Sequence, residues 1–358
     1  MLLFVILITE FGGKNMKLKK KYLFFSIVGI LIVAILGIFG YEYQKIQSTA
    51  DTISTNHSLA SRQQLKQGKP FSILVLGTDV GALGRGTSYA GNTDTLELIT
   101  VNPKKQTLTT TAIPRDTLVR VETKNKVEYT KINAAYALGG PREIKKQVHK
   151  LLDVPVDYYA LVNMGGLEKT VDAVGGVTVN NPFAFKYEGH TYPKGKQYLN
   201  GSEALGYSRM RYDPDNDYGC QKRGQQVLLS ALTKVNKAKN IMQMNSLLDT
   251  AKDNVRTDLP LDDLMTLYKN YHGALSNTQS DHLQGKNATI DNFSFQIAPN
   301  REMQRLSDNT RQALGLTKVK VNNIQTKMND MQTNWNGYNN VNYVLPNDAQ
   351  VYIPVNKV

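Results

Sequence analysis

Residues 71–79 read FSILVLGTD, a short apolar run that closes with Gly, Thr and Asp. A run of this length is typical of a buried strand that delivers a loop at its carboxyl end. Two further runs follow, TLELITV at 95–101 and TLTTTAI at 107–113, and the turn sequence NPKK between them indicates a β-hairpin. We therefore expect the folded domain to begin here, with three strands.

Helical and strand patterns alternate beyond this hairpin. The segment 141–152, PREIKKQVHKLL, places Ile144, Val148, Leu151 and Leu152 on one helical face. A strand pattern follows at 156–162, then a helical pattern at 166–174 and a strand pattern at 176–179. This alternation predicts an α/β fold in which a central mixed β-sheet is flanked by helices.

The second half of the domain is predicted to be mainly helical. GSEALGYSR at 201–209 opens a helix with Ser202 as its N-cap, and an apolar stripe predicts the next helix, with Val227, Leu228, Ala231, Leu232 and Val235. Further helices are expected around Leu247 and from Leu264 to Tyr268, before NFSFQIA returns as a strand. The domain is taken to span 70–317, and residues 318–358, rich in Asn, Thr and Gln, predict a polar flexible tail.

An uncharged apolar run from Tyr22 to Gly40 precedes the folded domain. At about 1.5 Å per residue it matches the hydrocarbon thickness of a bilayer, so we predict a transmembrane helix at 22–41. Four lysines between residues 17 and 21 place the segment 1–21 in the cytoplasm, and 42–69 then form an extracellular stalk. The expected location is the cell membrane, as a single-pass type II protein with its folded domain extracellular. A cleaved signal peptide is the alternative, and Met16 is the hypothesised true start.

The 358-residue chain is strongly basic, with a net charge of +13 and a pI near 9.5. Residues 1–21 hold five lysines and one glutamate, so most of the surplus lies in the part predicted to be extracellular. That location disfavours DNA as a partner and favours a phosphate-rich envelope molecule or an anionic membrane face. The lone cysteine, Cys220, excludes an internal disulfide.

The sequence lacks the usual motifs of hydrolytic and nucleotide chemistry. Its five histidines are scattered, and no G-x-S-x-G, H-E-x-x-H or Walker sequence occurs, which disfavours a serine hydrolase, a zinc site and an ATPase. Arginines and aspartates instead collect at predicted strand ends and loops: Asp79, Arg85, Asp94, Arg115, Asp116, Arg209, Arg211 and Arg223. Arginine forks pair with phosphate oxygens and carboxylates hold Mg²⁺, so this set predicts a pyrophosphate site with its divalent cation.

Each of these residues also has an ordinary structural interpretation. Arginine and aspartate near turns are commonly solvated, and Arg115 with Asp116 can form a local ion pair of little energetic weight. Asp213, Asp215 and Asp217 resemble a loose calcium loop. They lack the glycine and the distal glutamate of an EF-hand, so turn chemistry around the proline between them is the better interpretation.

Seven motifs occur in a fixed order: ILVLGTD, NTDTLELITVNP, AIPRDT, KINAAYALGG, VDYYALVNMGGLEKTVDAVGGVTV, YLNGSEALGYSRMRYDPDNDYG and RGQQVL. This set resembles the LytR-CpsA-Psr family of envelope proteins, closely over about residues 70–240 and more loosely to about residue 315. The short cytoplasmic segment and the single anchor are also similar to that family.

The resemblance implies a phosphotransferase that moves an anionic glycopolymer from an undecaprenyl-pyrophosphate carrier to peptidoglycan, with the C6 hydroxyl of N-acetylmuramic acid as acceptor. The polymer would be a wall teichoic acid, a capsule or another wall polysaccharide. Mg²⁺ or Mn²⁺ is the implied cofactor, and the carrier is a membrane lipid. The helices after Arg223 would form an apolar channel for the prenyl chain, and no nucleic-acid partner is expected.

The family's functional residues fall on matching positions of this sequence. Asp79 and Asp94 match its metal-associated aspartates, and Arg115, Arg209 and Arg211 match its pyrophosphate-binding arginines. Arg223 falls on the last arginine of the pattern D-Y-G-R-Q-x-R-Q, and Arg85 is a further phosphate-binding candidate. For catalysis, Arg115 would stabilise charge on the transferred phosphate, and Asp94 or Asp116 would act as general base.

Three positions depart from the family pattern. Asn92 and Cys220 stand where the family commonly has arginine, and Gly224 where it commonly has glutamine. Three interpretations are therefore open. The protein could be an enzyme in which neighbouring cations replace the lost positive charge, an enzyme of reduced activity, or a non-catalytic paralogue that binds lipid or glycopolymer. An envelope-linked transcription attenuator is a further alternative, although about twenty cytoplasmic residues are too few for a helix-turn-helix.

Overall fold

The computed structural model describes residues 59–78, 93–123, 126–212, 216–236, 254–259, 264–333, 335 and 343–353. All described residues belong to the unit that spans residues 47–358. The predicted segment 1–21, the anchor 22–41 and most of the stalk lie outside the described residues. Within the described ranges, no helix has the length and apolarity needed to cross a bilayer.

Eight α-helices, two short 3₁₀ helices (His272–Ser276 and Pro346–Asp348) and fourteen strands are described in these ranges. The helices are α1 Leu59–Lys66, α2 Ala134–Leu152, α3 Met164–Ala173, α4 Gly201–Arg209, α5 Asn216–Asn236, α6 Leu264–Tyr271, α7 Asn300–Ala313 and α8 Ile324–Asp330. The strands are β1 Phe71–Thr78, β2 Thr93–Asn102, β3 Thr107–Ala112, β4 Leu118–Glu122, β5 Val127–Lys131, β6 Tyr158–Asn163, β7 Val177–Asn181, β8 Phe185–Tyr187, β9 His190–Tyr192, β10 Gly195–Leu199, β11 Val255–Thr257, β12 Asn277–His282, β13 Lys286–Ile290 and β14 Phe293–Ile297.

The central sheet has six strands in the order β11-β6-β1-β2-β3-β12. Antiparallel pairing joins β1 to β2 and β2 to β3, while β1 with β6 and β3 with β12 are parallel pairs. The predicted mixed sheet and the predicted hairpin at NPKK are both confirmed. Each face carries helices, because one face of β1 and β2 packs on α2 and α7, and the other faces α5.

The two faces of the central strand β1 are buried to different degrees. Leu74 and Leu76 are fully buried in the core beneath α2. The alternate residues Phe71, Ile73 and Val75 remain only partly buried, although apolar side chains of α5 pack near them. Because successive side chains of a strand point to opposite faces, this pattern leaves one apolar face of a central strand incompletely covered.

Strand direction brings several loops to one edge of the sheet. Strands β1, β3, β6 and β12 end at this edge, and the antiparallel strands β2 and β11 begin there. Thr78 at the end of β1 is the register partner of Thr93 at the start of β2 and of Asn163 at the end of β6. Side chains that follow or begin these strands therefore converge here, and we call this line the strand-end edge.

Most predicted helices and strands are present, but two details of the helices differ from the prediction. The predicted helix from Pro141 continues α2 after a break, where Gly140 adopts φ = +66°, a left-handed conformation that glycine tolerates. Ser202, however, is not the N-cap of α4. The cap is Asn200, whose side chain accepts from Glu203 N while the Glu203 carboxylate accepts from Asn200 N. The two reciprocal hydrogen bonds of this capping box explain why Asn200, rather than Ser202, is the N-cap.

Both ends of the predicted domain extend further than the sequence indicated. At the amino end, Leu65 of α1 is buried and its carbonyl accepts from Asn270 Nδ2 at 3.0 Å. At the carboxyl end, the segment predicted as a flexible tail contains α8 and contributes Trp335, Tyr343 and Leu345 to a buried cluster with β13 and β14. The prediction of a flexible tail was wrong for these residues, because a few apolar side chains suffice to bury a mostly polar segment.

Candidate functional site

Asp94, Arg115 and Asp116 are brought together at the strand-end edge. Asp94 is the second residue of β2, and Arg115 follows β3 in a turn closed by the hydrogen bond from Thr117 N to Pro114 O at 3.0 Å. Arg115 Nη1 donates to Asp94 Oδ1 at 2.6 Å, and Arg115 Nε lies 3.8 Å from Asp116 Oδ2. These three side chains therefore lie together at the strand-end edge.

Lys131 completes this group and was missed as a site residue. It ends β5, next to Leu118 of β4, and its Nζ lies 2.8 Å from Asp116 Oδ1. The same ammonium stands over the Phe295 ring, 5.6 Å from the centroid. The only available signal was its position in the motif KINAAYALGG, since a lone lysine at a strand end carries no pattern of its own. Asp94, Arg115, Asp116 and Lys131 are called the edge cluster below.

The edge cluster is accessible from solvent. Its four side chains retain between 23% and 31% of their exposure, so each is screened but reachable. Two cations and two carboxylates balance in charge, and each cation is already paired with a carboxylate. A phosphate group can enter such a cluster by exchanging partners with the carboxylates, because a guanidinium has five donors and binds phosphate bidentately.

Arg209 and Arg211 lie at the carboxyl end of α4. Arg209, the last residue of this helix, pairs through Nη1 with Glu188 Oε1 at 2.6 Å, in the hairpin formed by β8 and β9. Arg211 follows one residue beyond the helix cap and is exposed. Both predicted phosphate-binding arginines are thus at the surface, on a different element from the edge cluster.

Arg223 does not occupy the position predicted for a pyrophosphate ligand. Its side chain is only 2% exposed, and its guanidinium donates from Nε to Tyr207 O at 3.0 Å and from Nη2 to Met210 O. The rings of Phe185 and Tyr207 lie 5.7 and 6.0 Å from the guanidinium carbon. The last carbonyls of a helix have no partners within it. Arg223 of α5 therefore caps the carboxyl end of α4, which fixes the backbone that leads to Arg211.

Cys220 and Gly224, which depart from the family pattern, are both accommodated without steric conflict. The half-buried Cys220 Sγ lies 2.9 Å from Ser208 O and donates weakly to this carbonyl near the end of α4. Gly224 faces open space where a side chain would begin. Neither position is strained by the residue present, and Cys220 acts as a second, weaker partner of the helix end that Arg223 caps.

A short series of contacts connects α5 to the edge cluster. Gly285 N donates to Tyr218 Oη at 2.9 Å, and Tyr218 Oη lies 3.3 Å from Gln296 Oε1. Gln296 N in turn donates to Asp116 O at 2.9 Å. The amino-terminal part of α5 is therefore packed against the same strand that supports the Asp116 turn.

Of the two predicted metal ligands, Asp94 is among the described residues and Asp79 is not. Asp79, Arg85 and Asn92 lie outside the described residues, as do Asp213 and Asp215. Among the residues that are described, no group of three or more acidic, His or Cys side chains forms a ready-made metal cage. Mg²⁺, however, is commonly held by one or two carboxylates together with water and substrate phosphates.

The oxygen donors at the strand-end edge fit such a cation. Asp94 offers a partly exposed carboxylate there. The hydroxyls of Thr78 and Thr93 are buried at the same edge, and neither has a hydrogen-bond partner in the described part of the chain. Buried polar atoms without partners are rare in folded proteins. A hard cation or its water ligands would satisfy them.

Comparison with known proteins identifies relatives of this chain. Residues 37–312 match the model of the LytR_cpsA_psr family. A Bacillus cereus protein named polyisoprenyl-teichoic acid–peptidoglycan teichoic acid transferase TagU is 37% identical over 312 residues, which cover 84% of this chain and 100% of that protein.

Solved structures agree with the sequence relatives. A crystal structure from Streptococcus agalactiae superposes with a TM-score of 0.66 at 33% identity, covering 73% of this chain and 93% of that one. A structure of TagT bound to LI-WTA superposes with a TM-score of 0.57 at 26% identity, covering 70% of this chain and 93% of TagT.

Proposed function

The chain belongs to the LytR-CpsA-Psr family, and from this we propose that it transfers an anionic glycopolymer to peptidoglycan. The donor would be the polymer linked to undecaprenyl pyrophosphate, and the polymer a wall teichoic acid, a capsule or another wall polysaccharide. The protein would act at the outer face of the cell membrane, held there by the predicted anchor at 22–41.

The edge cluster is the observation that carries the proposal. Phosphoryl transfer requires cations placed where negative charge develops, and Arg115 and Lys131 supply two at one edge of a rigid sheet. Their partners Asp94 and Asp116 keep both cations in place before substrate binds. Arg209 and Arg211 would add positive charge from the end of α4, which Arg223 holds in position.

The incompletely covered apolar face of β1 supports a lipid-linked donor. Phe71, Ile73 and Val75 on this face lie near partly buried leucines of α5, including Leu228 and Leu232. We propose that the prenyl chain lies along this face while its pyrophosphate reaches the strand-end edge. Apolar side chains left partly exposed at the middle of a sheet gain stability when a ligand covers them.

The proposed reaction is a displacement at the phosphorus nearest the sugar. The acceptor hydroxyl oxygen forms a bond to this phosphorus, and the bond to the bridging oxygen breaks, so that polyprenyl phosphate leaves with the electron pair. The hydroxyl proton passes to the carboxylate of Asp94 or Asp116. Arg115 stabilises the added negative charge in the transition state.

A divalent cation would be held by Asp94 and by Asp79, the two predicted metal ligands. When bound, Mg²⁺ or Mn²⁺ would neutralise charge on the pyrophosphate. The anhydride bond supplies the driving force, so the reaction needs no nucleotide.

A defined transfer assay tests the proposal. Full-length protein is incubated with a polyprenyl-pyrophosphate-linked polymer and peptidoglycan oligomers, with and without Mg²⁺, and the linked product is measured. Arg115→Ala should abolish transfer without loss of fold, whereas Arg120→Ala, which removes an arginine paired with Glu122 in β4, should leave it unchanged. Donor binding without any transfer by the wild type would instead indicate a non-catalytic binding protein.

A further inference from the structure

Glu97 is a buried carboxyl group outside the edge cluster. It lies in β2 with 2% of its surface exposed, opposite Val75 of β1 and Ala112 of β3. Directly paired residues of neighbouring strands point to the same face, so both side chains beside Glu97 are apolar. The same face continues along β2 with the buried Ile99 and Val101. Glu97 is thus a polar group at one end of an apolar surface.

Gln225 of α5 is the side-chain partner of Glu97. Its Nε2 donates to Glu97 Oε2 at 3.1 Å and to Asp281 O of β12 at 3.0 Å, and the residue is itself buried. Leu228 and Leu232 follow three and seven positions later, on the same side of the helix. The Glu97–Gln225 contact therefore docks α5 on the sheet, next to the apolar surface that the leucines cover in part.

This contact connects the two groups of candidate phosphate ligands. On the sheet side, Glu97 lies three residues after Asp94 in the same strand, and Asp94 binds Arg115. On the helix side, Gln225 lies two residues after Arg223, which caps the end of α4. One buried hydrogen bond thus joins the strand of the edge cluster to the helix that positions Arg209 and Arg211.

We propose that Glu97, acting through Gln225, is a positioning residue that holds the α4–α5 unit against the sheet so that both groups of cations bind one pyrophosphate. This role rests on the proposed function, because it assumes a pyrophosphate-linked donor. Neither residue needs to touch the substrate. The effect on binding arises from the distance and orientation that the contact imposes on the two groups of cations.

The protonation state of Glu97 gives this contact a dependence on pH. Burial raises the pKa of the Glu97 carboxyl to about 8, against the smaller opposite effect of the Gln225 hydrogen bond. The charged groups on neighbouring elements are turned elsewhere: Asp281 of β12 binds Arg305, and Arg223 of α5 binds the carbonyls of Tyr207 and Met210. Within the described part of the chain no cation pairs with Glu97, so its ionisation would leave a buried charge that weakens the docking.

The first measurement is independent of any activity. In the unfolded chain the carboxyl ionises near its ordinary value of 4.5, and in the folded chain near 8, so the unfolded state binds fewer protons between these values. Stability of the wild type must therefore fall as pH rises through this window and level off above it.

Glu97→Gln keeps a neutral side chain that can accept a hydrogen bond from Gln225. Its free energy of unfolding relative to wild type should therefore rise over the same window.

The second measurement is the dissociation constant of a short-chain polyprenyl pyrophosphate for the full-length protein between pH 6.5 and 9.5. Wild-type affinity should fall as pH rises above 8, by at most about tenfold per pH unit, and Glu97→Gln should remain flat. Gln225→Leu should weaken binding at every pH while kcat of the bound donor changes little. An equal alkaline loss in Glu97→Gln, or unchanged affinity in Gln225→Leu, would overturn the proposal.

The two proposals fail in different ways. Absence of transfer by the wild type, with a pH trend in binding that Glu97→Gln removes, would reject the enzyme and leave the docking role standing. Active transfer with no difference between wild type and Glu97→Gln at any pH would reject the docking role alone.

Discussion

Arg115 donates from Nη1 to Asp94 Oδ1 at 2.6 Å, joining the loop after β3 to the start of β2. The two residues are twenty-one positions apart, and the hairpin between them returns the chain to the same edge of the sheet. This geometry places a carboxylate and a guanidinium where a phosphate can contact the guanidinium and a cation can contact the carboxylate.

Asp94→Asn and Asp116→Asn should distinguish the two candidate bases. Loss of a general base typically lowers the rate of the chemical step by about 100-fold or more, because the proton has no acceptor in the transition state. We expect this loss in kcat for one of the two variants, and a weaker effect, mainly on donor binding, for the other. Single-turnover transfer measures the step directly. Full kcat in both variants would exclude both carboxylates as bases.

Arg223→Met should destabilise the fold. It leaves the carbonyls of Tyr207 and Met210 without their buried donor, at a cost of about 2–4 kcal/mol in the free energy of unfolding. Arg211→Ala is the matched control, since the exposed side chain should change stability by less than about 0.5 kcal/mol while weakening donor binding. Urea unfolding and donor titration separate the two effects. Equal stability of Arg223→Met and wild type would contradict the capping role.

Cys220→Arg should raise affinity for a polyprenyl-pyrophosphate donor by a few-fold. Cys220 of α5 lies against the end of α4, with its Sγ 2.9 Å from the carbonyl oxygen of Ser208, the residue before Arg209. A guanidinium at this position would add charge near the candidate phosphate ligands. It also complements the negative end of the helix dipole. Cys220→Ser controls for loss of the thiol. Titration at two salt concentrations checks the result, and unchanged affinity would show that neighbouring cations already suffice.

Asn200→Ala should cost about 1 kcal/mol in stability, because it removes one bond of the α4 capping box. Ser202→Ala is the comparison, as it removes only an exposed contact with His190 Nε2 at 3.0 Å and should cost less. Thermal unfolding of the two variants under identical conditions decides the matter. A larger loss for Ser202→Ala would contradict the assignment of the cap.

Trp335→Ala should show that the carboxyl-terminal segment is part of the folded domain. Trp335 is buried against Tyr343, with ring centroids 5.4 Å apart, and its removal from such a cluster typically costs about 3 kcal/mol or more. Met331→Ala, at a largely exposed position nearby in sequence, should have little effect. Equilibrium unfolding measures both. A negligible loss for Trp335→Ala would indicate that this segment is not part of the folded domain.

Several features of the fold could be predicted from local sequence patterns. The strand at Phe71, the NPKK hairpin and the helix from Pro141 each have short-range signals that depend on neighbouring residues. The convergence of Asp94 and Arg115 was also predictable, since both flank strands of one hairpin. Lys131 was not, because its proximity to Asp116 depends on how a second hairpin, β4 with β5, packs beside the sheet.

Local sequence patterns were sufficient to predict the α/β class, the hairpin and the residue types of the candidate phosphate site, since alternating periodicity and turn residues act over a few positions. The accessibility of each arginine, in contrast, depends on tertiary packing. Arg211 and Arg223 read alike as charged residues, yet one is exposed and the other is buried as a helix cap. Burial of a long cationic side chain depends on carbonyls and aromatic rings supplied by distant segments, and no local pattern encodes their arrangement.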